Sequence, residues 1–104
     1  MNYYKRLYVG DSVKNHERII ELLEEGVYVY GTHLICVKKN IDILLTIIDA
    51  KQIFNPSNNY KDYMVIGLTN GKKEAHELTK EIIFSYYQKN KGLSGFRKSF
   101  YLKD

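Results

Sequence analysis

The amino-acid sequence predicts an α+β fold, a two-layer β-α-β-β-β-α sandwich with two helices on one face of a mainly antiparallel four-stranded sheet. Residues 13–25 and 72–90 carry apolar side chains at helical spacing. Four other segments are rich in Val, Ile, Leu and Tyr and read as strands. Three of those four follow one another through short or medium loops, which favours antiparallel pairing.

The first strand spans Tyr3 to Val9, with Tyr3, Lys5, Leu7 and Val9 on one face and Tyr4, Arg6 and Tyr8 on the other. Gly10-Asp11-Ser12 ends it and offers an N-cap at Asp11 or Ser12. The first helix follows from Val13 to Glu25, its stripe formed by Val13, His16, Ile20 and Leu23. Gly26 suits the left-handed position that ends many helices. This β-α-β passage can form a right-handed parallel crossover. A long strand then runs from Val27 to Lys39, irregular at Gly31.

Lys38-Lys39-Asn40 reads as a turn into a partner strand, Ile41 to Ile53, on which Leu44, Ile48 and Ala50 share a face. A helix is the competing reading of residues 41–53; the isoleucines and the preceding turn favour the strand. Asn55-Pro56-Ser57-Asn58-Asn59 is a loop, and Asp62 to Leu68 is the fourth strand. Asn70 is the expected N-cap of the second helix, Lys72 to Asn90, with Ala75, Leu78, Ile82 and Tyr86 as its stripe and Gly92 as its stop. Leu93 to Asp104 is a basic, aromatic tail that docks as a short strand or a turn of helix.

A chain of 104 residues predicts a single domain, 1–104. Its one cysteine, Cys36, rules out an intrachain disulfide and argues against a secreted scaffold. The N-terminal residues carry no apolar run of the signal-peptide kind, and the stretch Ile41 to Ile48 is too short to span a bilayer. A cytoplasmic location and no membrane partner are therefore expected. The formal net charge of +4 is unevenly placed. Residues 1–60 carry seven basic and seven acidic side chains, residues 61–104 nine and five. A basic end of this kind can attract nucleic acid, anionic lipid or an acidic partner, although solubility and helix C-terminal charge account for it as the commoner case.

The chemistry-bearing residues form no recognised catalytic or metal-binding pattern. On a strand, His33 and Cys36 fall on opposite faces, and Cys36 reads as a buried small hydrophobe. No two of His16, His33 and His76 lie four apart, so no zinc or other metal site is expected, nor any cofactor. No nucleophile elbow, phosphate loop or dinucleotide fingerprint is present. The most suggestive stretch is Thr69-Asn70-Gly71-Lys72-Lys73-Glu74-Ala75, where two lysines open a helix whose N-terminus itself favours anions. Gly67 with Lys72-Lys73-Glu74-Ala75 resembles the last strand and helix start of double-stranded-RNA-binding domains. That resemblance implies an α-β-β-β-α order from the first helix onward, and phosphate contacts by the lysine pair. Thr69, His76 and Thr79-Lys80 depart from the family's residues.

Three functional readings follow. The leading one is a non-enzymatic protein-interaction module that self-associates through an open sheet face or the tail, with Tyr4, Arg6, Tyr8, Leu44 and Ile48 as the interaction face. The alternative is a nucleic-acid-binding domain using Asn70, Gly71, Lys72, Lys73, Lys80, Arg97 and Lys98, with Tyr4, Arg6 and Tyr8 offering a second, base-stacking route. A small enzyme without a recognisable motif comes third.

Overall fold

Leu34-Ile35-Cys36-Val37 and Met64-Val65-Ile66 are apolar without interruption, the mark of strands covered on both faces rather than one. The computed structural model, which describes residues 2–38 and 44–101, places these two segments side by side at the centre of the sheet. Its elements are β1 (Asn2–Val9), α1 (His16–Glu24), β2 (Thr32–Lys38), β3 (Thr46–Asp49), a 3-10 turn (Ala50–Phe54), β4 (Tyr63–Asn70), α2 (Lys72–Asn90) and α3 (Phe96–Ser99). The α+β class and the four-stranded sheet agree with expectation. The strand order is β1-β4-β2-β3. β2 is antiparallel to both neighbours, whereas β1 lies parallel to β4. The first β-α-β passage therefore does not create a parallel pair; β1 pairs instead with the distant β4.

The two helices lie on opposite faces, a correction to the expected one-sided arrangement. On one face Leu34, Cys36, Ile48, Val65 and Leu68 pack with Leu23 of α1. On the other, Ile35, Val37 and Ile66 pack with Ala75 and Ile82 of α2 and with Phe96 and Phe100 of the α3 segment. The reason is the two-sided strands. A single helical layer leaves one apolar face of β2 and β4 in water, at a cost of about 25 cal/mol for each Å². α3 completes the second layer with a chain of edge-to-face rings, Tyr86 to Phe96 at 5.0 Å, Phe96 to Phe100 at 5.2 Å and Phe100 to Tyr4 of β1 at 5.1 Å. Phe96 and Phe100 of the tail are thus part of the core, and the apolar sheet face expected to remain open is covered.

Several boundaries differ for local reasons. β2 begins at Thr32 rather than at Val27, behind the left-handed Gly31 (φ 83°). α1 begins at His16 behind a left-handed Asn15, because Ser12 is engaged elsewhere and Val13 closes a turn on Gly10. It ends as expected at Gly26 (φ 85°), where Gly26 N–H donates to Leu23 and Val27 N–H to Leu22. Segment 41–53 is strand only over Thr46–Asp49; its first three residues lie outside the described ones. At Asp49 the side chain accepts from Lys51 N–H while Gln52 Oε1 accepts from Asp49 N–H, and the chain turns into the 3-10 helix. α2 is capped by Gly71 rather than Asn70, and its last turn closes at a left-handed Lys91.

Between the β2 partners Ile35↔Gly67 and Cys36↔Val65, Ile66 is an extra residue that bulges β4. Gly67 sits directly under Ile35, and a Cβ there would lie 3.1 Å from the Ile35 Cβ. That atom is fixed to the backbone and cannot yield. Gly67→Ala is expected to destabilise the fold by about 1–3 kcal/mol, read as a lower denaturant midpoint with unchanged slope. Ile35→Val in the same chain keeps the Cβ and should recover little; full recovery would show that the flexible Ile35 tip alone was the obstacle.

Candidate functional site

An open cleft of about 1360 Å³ lies between β3, the 3-10 turn and the N-terminal half of α2. Its floor holds a cross-strand pair, His33 of β2 opposite Asp49 of β3. The His33 Nδ1–H donates to the Gly31 carbonyl at 2.9 Å, which fixes the ring so that Nε2 faces the Asp49 carboxylate at 4.0 Å. Lys51 and the half-exposed ring of Phe54 come from the 3-10 turn, and Lys72 and His76 from α2. Cations outnumber anions in this wall, and an aromatic face lies among them.

α2 extends that wall. Measured from the fully buried Ala75 at about 100° per residue, Lys72, His76, Lys80 and Lys73 fall between about 60° and 160°. Glu77, Glu81 and Glu74 fall between about 200° and 260°. The helix is therefore basic along one flank and acidic along the other; Lys89 stands apart in its last turn. Lys72, His76 and Thr79 line the cleft, so the basic flank is the one that borders it.

The anion-binding character expected at the start of α2 is already used within the chain. Glu74 Oε1 accepts from Asn70 N–H at 2.9 Å. Its Oε2 accepts from Ser12 N–H at 3.0 Å and from Ser12 Oγ–H at 2.7 Å. Gly71 N–H donates to the Gly31 carbonyl at 2.7 Å. Gly10 has no side chain to displace the carboxylate. Partial burial pushes the Glu74 carboxyl up, but the hydrogen bonds from Asn70 and Ser12 outweigh it and hold the group below the usual carboxylate range. The backbone at Asn70 and Gly71 is thus occupied, while the side chains of Lys72 and Lys73 are exposed. A glutamate at the fourth residue of the helix motif, half of a capping box, is the sequence signal that marks Glu74.

The remaining candidates are dispersed. Arg97 and Lys98 lie on α3, which packs against Tyr86, some fourteen residues and about 21 Å along α2 from Lys72. Lys72, Lys73 and Lys80 come together; the tail cations do not join them at the cleft. Of the proposed interaction face, Ile48 is buried in one layer and Leu44 packs into the other. Tyr4 is engaged with Phe100, and Arg6 and Tyr8 are exposed on the edge strand β1. His33 and Cys36 do point to opposite faces. The cross-strand placement of His33 and Asp49 had no signal in the sequence, since it depends on register.

No protein-family model matches the chain, and neither does any curated protein or solved structure. Among the described residues no helix is long and apolar enough to cross a membrane, and no group of three or more His, Cys, Asp or Glu side chains is placed to hold a metal ion.

Two measurements test the Glu74 contacts and the burial of Cys36. The folded-state pKa of Glu74 is lowered, so its contribution is present above the ordinary carboxylate pKa of about 4.3 and is lost as pH falls through the lowered value. Glu74→Gln should cost about 1–2 kcal/mol at pH 7, discounted for partial exposure, with the gap to the parent closing at strongly acidic pH. Burial pushes the Cys36 thiol up to about 12. It should resist a thiol-specific disulfide reagent in the native state and react stoichiometrically once the chain is denatured.

Proposed function

We propose that this chain is a non-enzymatic nucleic-acid-binding module in which Lys72, Lys73 and Lys80 hold phosphates along the basic flank of α2, beside the cleft. The observation that carries this reading is the separation of charge on α2. Lysines scattered for solubility would be interleaved with the glutamates; here they share a flank with His76, and that flank opens onto a cleft that adds Lys51. A strand of phosphates is the partner such an array complements. Glu74 is turned toward Ser12 and Asn70 rather than toward the lysines. Self-association through a sheet face has less to support it, because both faces carry a packed layer.

Labelled oligonucleotides titrated at 50 and 200 mM salt test the proposal. Three phosphate contacts should weaken binding by roughly 20- to 40-fold between the two salts. Lys72→Glu with Lys80→Glu should abolish binding, whereas Lys89→Glu, off the flank, should leave it nearly unchanged. Absence of binding at 50 mM salt overturns the reading.

A further inference from the structure

Two large aromatic side chains on α2 are left out of the core. Phe84 is 60% exposed and Tyr87 is 53% exposed. Their neighbour Tyr86 is packed edge-to-face on Phe96 within the ring chain that runs to Phe100 and Tyr4. Helix formation does not call for aromatics at these solvent-facing positions, since Phe and Tyr are weaker helix formers than Lys, Glu or Ala. At about 120° from Ala75 Tyr87 continues the basic flank in line with Lys80, and Phe84, at about 180°, stands at its margin between Lys73 and Glu77. Three residues apart, they are neighbours on the helix surface. From Lys72 to Tyr87 the flank runs about 22 Å. At its other end the cleft repeats the combination, with Lys51 and Lys72 near the exposed ring of Phe54.

We infer that the nucleic acid taken by this flank is single-stranded, with Phe84 and Tyr87 serving as platforms for unpaired bases while the lysines hold the phosphates between them. The inference rests on the nucleic-acid reading above and narrows it. In a duplex the base faces are covered by neighbouring bases, so exposed rings gain nothing from it; an unpaired base offers a free π-face. Charge complementarity favours this occupant over a second copy of the chain. Two α2 flanks brought together would set Lys73 and Lys80 against like charges around only two rings.

The test compares a labelled thymidine oligonucleotide with a duplex of equal length, using the parent chain, Phe84→Ala/Tyr87→Ala and Lys72→Glu/Lys80→Glu. Both rings are largely exposed, so the aromatic variant should keep the parent's thermal unfolding. The single strand is expected to bind at least tenfold tighter than the duplex, and the aromatic variant to lose about tenfold or more on the single strand with little change on the duplex. Equal binding of both forms, indifferent to the aromatic variant but lost in the lysine variant, overturns the single-strand inference and leaves the phosphate reading intact. No binding of either form overturns both. A dimer in sedimentation that the aromatic variant converts to monomer assigns the rings to self-association, and also overturns the inference.

Discussion

Two-sided burial of the central strand pair is the constraint on which the rest of the structure depends. β2 and β4 are apolar at consecutive positions, so each of their faces must be covered for the chain to fold. That demand divides a short chain between two layers. α2 and α3 supply one, and α1 with the 3-10 turn supplies the other. It also explains why the C-terminal tail is a structural element. Without Phe96 and Phe100, α2 alone would leave the β1 side of the sheet uncovered next to Tyr4.

A second consequence concerns the joint between β4 and α2. Covering both faces forces the chain to leave β1 and β4 toward different layers, and the two exits lie side by side because the strands are parallel neighbours. Glu74 ties them: its carboxylate accepts from Ser12 after β1 and from Asn70 at the end of β4. Gly31 joins the same knot, entering β2 with φ 83° and accepting from Gly71 N–H. A negative charge placed at this helix start satisfies the dipole from within. The neighbouring lysines are then directed outward, and recognition of an anion passes from the helix backbone to the flank of α2.

That flank can be understood as the part of α2 that packing leaves unconstrained. The stripe through Ala75 and Ile82 is committed to the sheet, and Glu74 to the joint. The positions bordering the cleft face water, so their charge and their aromatic content are open to binding. β3 helps by being short. It ends at Asp49, where the 3-10 turn bends the chain away and keeps the cleft beside α2 open while presenting Lys51 and Phe54 at its rim.

The sequence by itself determined what depends on neighbours along the chain. The span of α2, the stop at Gly26, the strands through residues 32–38 and 63–70, and the shared flank of Lys72, Lys73 and Lys80 all follow from periodicity and local backbone preference. Even the two-sided covering was written in Leu34 to Val37, although an alternating reading passes over it. Only the tertiary structure decided which layer each helix joins, that β1 pairs with β4, and that Ser12 meets Glu74 across 62 positions. The same holds for His33 against Asp49, and for the exposure of Phe84 beside the buried edge of Tyr86. These features depend on long-range pairing and on competition for buried surface, and the periodicity of a segment does not encode which distant segment will cover it.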